Sequence, residues 1–171
     1  MAKLQSGHLT LGIKFTRLEE EWVAYEFSFL WKDEPIINDE IFKTGRWWDK
    51  RRHGTFLAND YEKDYLIEII KKVLETKESD YWEPIEPDVK IAIYPDMYFP
   101  FLKEKLVSND AIDISKEELF TIMVFMDTYN FIDCNSYSSE GVSLNLIVRR
   151  KDLEEFVTEL ESEYIDFIKE I

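Results

Sequence analysis

The sequence predicts an α+β fold: a two-layer structure with a mainly antiparallel sheet and two helices packed on one face, in the order ββ-α-βββ-α, as a single domain over residues 1–171. Three observations lead there. Two segments near the start and one near the end alternate apolar and polar residues with the period of a half-buried strand. Two others repeat apolar residues at helical spacing. The chain is 45% hydrophobic and 15% aromatic with five Gly and five Pro, a composition that supports a packed core.

The opening reads as a hairpin. Leu9, Leu11, Ile13 and Phe15 alternate with His8, Thr10, Gly12 and Lys14, and a charged turn follows around Leu18 to Glu21. Val23, Tyr25, Phe27, Phe29 and Trp31 form one face of the next strand, and Lys32-Asp33-Glu34-Pro35 ends it. Ile36 to Phe42 suggests a further short strand. Asn59 followed by Glu62 has the pattern of a helix cap. Leu66, Ile69, Ile70, Val73 and Leu74 then make a helical stripe that runs to about Lys77.

A proline-rich passage, Tyr81 to Pro87, leads to a strand carrying Val89, Ile91 and Ile93, and Pro95 and Pro100 bracket an aromatic stretch. No period is visible over Lys103 to Ser115. Leu119 to Tyr129 is strand-like, Asn135 to Gly141 is turn chemistry, and Val142, Leu144, Leu146 and Val148 alternate as the returning strand. Asp152 with Glu155 suggests an acidic capping box. The final helix carries Leu153, Phe156, Val157, Leu160, Tyr164, Phe167 and Ile168 on its core stripe.

The formal charge is -15, yet Lys43 to His53 holds five Lys or Arg against one Asp and includes Trp47 and Trp48. So acidic a surface repels nucleic acid and anionic membrane and attracts cationic partners. The single cysteine, Cys134, forms no intrachain disulfide. No apolar run approaches the roughly 20 residues that cross a bilayer. With a start that lacks a signal-peptide core, these features point to a cytoplasmic protein with no nucleic-acid or membrane partner.

Three surfaces are candidates for binding. The first is the cationic segment, with Arg46, Trp47, Trp48 and Arg51, because Arg and Trp are enriched at interface hot spots. Its alternative reading is internal: the indoles close the edge of the core and the cations offset nearby acids. The second is the acidic last helix, where Glu155, Glu159 and Glu163 stand one turn apart and repel one another. Here the alternative is solubility. The third is the aromatic, proline-stiffened passage with Trp82, Tyr94 and Tyr98, read either as a recognition surface or as chain packed over the end of the sheet.

No catalytic pattern stands beside these. His8 and His53 belong to no metal-ligand spacing, Cys134 lies between Asp133 and Asn135 rather than among cations, and glycine-rich phosphate loops are absent. Neighbouring acids such as Asp33-Glu34 and Asp39-Glu40 are too common in a chain with 36 Asp and Glu to mark a metal site or a carboxylate pair. The expectation is a non-enzymatic protein without a cofactor or metal.

The passage Phe56-Leu57-Ala58-Asn59-Asp60-Tyr61-Glu62-Lys63-Asp64, with Tyr81-Trp82-Glu83-Pro84-Ile85-Glu86-Pro87-Asp88 after the helix, resembles a bacterial protein family without an assigned activity. In general character the chain also resembles the immunity proteins of bacterial toxin systems, which are small, cytosolic, acidic and aromatic-rich. That resemblance implies an inhibitor that covers a cationic partner. Charge and residue type, not the resemblance, put the steering on Glu155, Glu159 and Glu163 and the anchoring on Trp47 and Trp48 or Trp82. The alternative is a small-ligand domain with a pocket between sheet and helices. Homodimerisation is a further option, with the acidic face of one copy against the cationic segment of another.

Overall fold

A computed structural model describes residues 1–19, 22–36, 54–60, 65–84, 86–87, 89–96, 118–127 and 141–169. Strands β1 (Ala2–Ser6), β2 (Leu9–Glu19), β3 (Trp22–Trp31) and β4 (Glu34–Pro35) come first, followed by β5 (Thr55–Asp60) and helix α1 (Tyr65–Thr76). Then come β6 (Asp80–Trp82), β7 (Glu86–Pro87), β8 (Val89–Pro95), β9 (Leu119–Asp127), β10 (Gly141–Arg149) and helix α2 (Arg150–Lys169). The α+β class is as the sequence predicts. The strands divide between two antiparallel sheets, one in the order β1-β2-β3-β5-β7 with β4 paired to β3, the other β10-β9-β8-β6.

Local chemistry explains the first sheet. Gly7, at φ 60°, makes the two-residue turn that pairs Ser6 with Leu9. Lys32 and Asp33 both adopt positive φ, 51° and 69°, as a two-residue turn of the mirror-image kind requires, and Trp31 pairs with Glu34 across them. Register places Leu4, Leu11, Phe29 and their neighbours on one face, along with Ile13, Phe27 and Phe56. These residues are buried. On the opposite face the carboxylate-bearing Glu26 is only 5% exposed, beside buried Ser28 and Thr55.

β4 and β5 occupy one line along β3. The Ile36 amide donates to Phe29 O at 3.0 Å, and Thr55 pairs with Ser28, the next position down the ladder. Ile36 and Thr55 therefore stand at adjacent positions along β3, and the cationic segment lies between them in the sequence.

Both helices join the apolar faces of the sheets in one core. From α1, Leu66, Ile67, Ile69, Ile70, Val73 and Leu74 are buried, and from α2, Leu153, Phe156, Val157, Leu160 and Tyr164. Tyr164 and Phe167 meet the ring of Phe15, with centroids at 5.2 and 6.0 Å. Ile168, expected on the core stripe, is exposed instead. At the end of α1, Lys77 turns into the left-handed region (φ 59°) and Arg150 Nη2 donates to Leu74 O at 2.8 Å, which satisfies a carbonyl the helix leaves open.

Two expected caps are corrected. Asn59 does not cap a helix: it lies in β5, opposite Ala24 of β3, because strand pairing with a central strand outweighs a local capping pattern. Glu62 lies outside the described residues. Asp152 is inside α2 rather than ahead of it. Its Oδ2 accepts the Arg149 amide N–H at 3.3 Å, so Arg149 is the cap position and Asp152 the third helical residue reaching back.

Candidate interaction surface

Across the end of the first sheet, Trp31, Leu9 and Ser6 follow one another on β3, β2 and β1. Ser6 continues that row to β10. Its hydroxyl donates to Ile147 O at 2.9 Å and accepts the Ile147 amide at 3.2 Å, so one side chain takes the place of a strand in joining the two sheets. At the other end of the row Trp31 is 50% exposed, although it belongs to the alternating series that buries Tyr25, Phe27 and Phe29. The His8 ring meets its indole edge-on at 5.3 Å, and the Lys32 amide donates to His8 O at 3.0 Å. The result is an exposed tryptophan on a paired strand, steadied by a histidine, with Lys32 and exposed Ile36 beside it. Sequence alternation places Trp31 on one face of the strand with Val23, Tyr25, Phe27 and Phe29. Its place as the last residue of the strand, just before the charged turn, was the signal that it stands past the core's edge.

The acidic helix is arranged differently from its sequence pattern. Glu159 Oε2 accepts the Lys3 amide at 3.2 Å, and Glu163 lies 2.5 Å from the Met1 amino group. Glu161 pairs with Lys71 of α1, and Glu154 with Arg150 at 2.7 Å. Glu155 has Lys151 one turn before it at 3.4 Å. The expected stripe Glu155, Glu159, Glu163 is thus split: Glu159 turns to β1, Glu163 to Met1 just ahead of it, and Glu155 stays on the outer surface beside a lysine. Pairing relieves the repulsion expected along the stripe. The carboxylate of Glu161 holds Lys71 above the usual lysine range.

Beneath the surface, Trp82 is 0% exposed and packs edge-on to Tyr25 at 5.2 Å. Its indole Nε1–H donates to Asp60 Oδ2 at 2.5 Å. Trp82 therefore fills the seam between the sheets and is not an anchor for a partner, because β6 alternation turns it inward. The same alternation turns Tyr81 outward, 63% exposed. Tyr94, half-buried, is on that outer face as well: it lies two residues along β8 from Ala92, the partner of Tyr81. Arg46, Trp47, Trp48, Arg51 and Tyr98, like His53 and Cys134, lie outside the described residues.

Among the described residues no group of three or more His, Cys, Asp or Glu is placed to hold a metal ion, and no helix is long and apolar enough to cross a membrane. Comparison with protein-family models, with curated proteins and with solved structures finds no match to this chain.

Proposed function

We propose that this protein is a non-enzymatic binding domain for a basic protein, and more specifically a cytoplasmic, immunity-like inhibitor that covers a cationic surface of its partner. Trp31 is the observation that carries the reading. A large indole kept half exposed on a paired strand loses little conformational entropy on binding, and such aromatic anchors dominate interface energies. The charge of -15 supplies long-range attraction. With the acids of α2 largely paired within the fold, steering belongs to the whole surface rather than to three glutamates.

The test is affinity capture from the protein's own cells with wild-type and Trp31→Ala baits side by side. The expected result is one stoichiometric basic protein on the wild type, depleted on the variant. Capture of no protein, or equal capture by both, overturns the assignment to Trp31.

A further inference from the structure

The outward edge of β10 is closed at one end and open at the other. Ile147 turns both its N–H and its C=O to Ser6, away from β9, and the Arg149 amide turns outward to Asp152. Backbone groups in an antiparallel ladder alternate direction with period 2. Asn145 and Ser143 therefore present their N–H and C=O on the same outward side, and both are exposed. Among the described residues β10 is the terminal strand of its sheet, and none of their strands pairs with that row.

The composition of this edge sets it apart from the others. The β1 edge is occupied by Glu159 at the Lys3 amide and by Ser6 at Ile147. β6 spans three residues and β7 two, the latter with a proline. Natural sheets block open edges with Lys, Pro, bulges or brevity. Gly141-Val142-Ser143-Leu144-Asn145 has none of these devices, and its ladder with β9 runs without a bulge. On the core-facing side of the strand, burial fades from Leu146 through half-buried Leu144 to Val142, 53% exposed. An added strand would cover that apolar step.

We infer that the edge Gly141–Asn145 receives an extended segment of the partner as an added antiparallel strand. The segment is extended and basic overall, and its apolar residues pack beside Val142 and Leu144. Main-chain hydrogen bonds supply affinity and the alternating side chains supply selectivity. The basic character follows from the charge of -15, which also opposes pairing with a second copy of the same chain. This inference rests on the binding reading for the identity of its occupant.

The experiment uses a synthetic peptide, Lys-Val-Lys-Val-Thr-Val-Lys, and a control of equal charge with proline at alternate positions. Amide exchange is followed by NMR on the whole protein. The strand-forming peptide slows exchange at Ser143 and Asn145 by at least about tenfold and the proline control does not. Ser143→Pro removes an outward N–H without taking a bond from β9, and weakens peptide binding by about tenfold or more. Should that variant fail to fold, Val142→Lys, an edge charge of the kind that blocks strand addition, gives the same loss. Unchanged exchange at Ser143 and Asn145, or binding untouched by the folded variant, overturns the inference. So does protection that rises with protein concentration alone together with a dimer mass by light scattering. Peptide protection with no partner captured leaves the edge standing and removes the binding reading. A partner captured equally well by Ser143→Pro does the reverse.

Discussion

The indole N–H of Trp82 donates to Asp60 Oδ2 at 2.5 Å, both residues being buried where the two sheets meet. β6 supplies the tryptophan and β5 the aspartate, so this bond crosses from one sheet to the other. A hydrogen bond to a buried charged group contributes about 1.5–3 kcal/mol, and losing one partner leaves the other with the desolvation penalty. Trp82→Phe keeps an aromatic ring against Tyr25 and Phe27 but removes the donor. Urea denaturation of that variant is expected to show a loss of about 2 kcal/mol with an unchanged m-value.

Ser6 joins the sheets a second time. Ser6→Ala removes both bonds to Ile147 and returns its outward amide to solvent competition. The expected cost is about 1–2 kcal/mol. Exchange of the Ile147 amide should accelerate more than that of Leu146, whose backbone points to β9. Equal acceleration at both positions would mean that Ser6 serves only global stability.

Acid pH should weaken the fold through named pairs. Lys77, 3.0 Å from Glu118, and then Arg150 hold the Glu118 carboxyl below the usual glutamate range. Lys72, 2.7 Å from Asp80, and the Tyr81 amide do the same for Asp80. A lowered folded-state pKa contributes stability that is present above the ordinary carboxylate values, about 3.9 for Asp and 4.3 for Glu, and lost as pH falls through the folded value. Both sites are partly solvated, so each contribution is modest. Chemical denaturation from pH 7 downward should show stability falling below about pH 4.5, with a smaller fall in Lys77→Met and in Lys72→Met.

Elements with strong local periodicity were legible in the sequence. The alternation of Leu9 to Phe15 and of Val23 to Phe29 named β2 and β3, and the stripes of Leu66 to Leu74 and Leu153 to Tyr164 named both helices. β1 was not read, because five residues with Ala2 and Leu4 as their buried members make too short an alternation. The division into two sheets was hidden for a different reason: it depends on which distant strands pair, and the Ser6 hydroxyl that bridges the sheets meets a backbone far along the chain. Asn59 and Asp152 were misplaced because capping chemistry is local and cannot tell a strand end from a helix start. At the candidate surface, period-2 alternation separates outward Tyr81 from inward Trp82, but proline density obscured it.

In the proposed function an acidic field brings a basic protein to an exposed aromatic anchor. Its most direct measurement is the association rate of the captured partner with wild-type and Trp31→Ala protein, by stopped flow across salt. On raising salt from about 50 to 500 mM, the wild-type rate should fall by at least about tenfold. Trp31→Ala should match the wild type in association rate at each salt and dissociate about tenfold or more faster. An association rate indifferent to salt, with dissociation unchanged by the loss of Trp31, would rule out both the acidic steering and the Trp31 anchor.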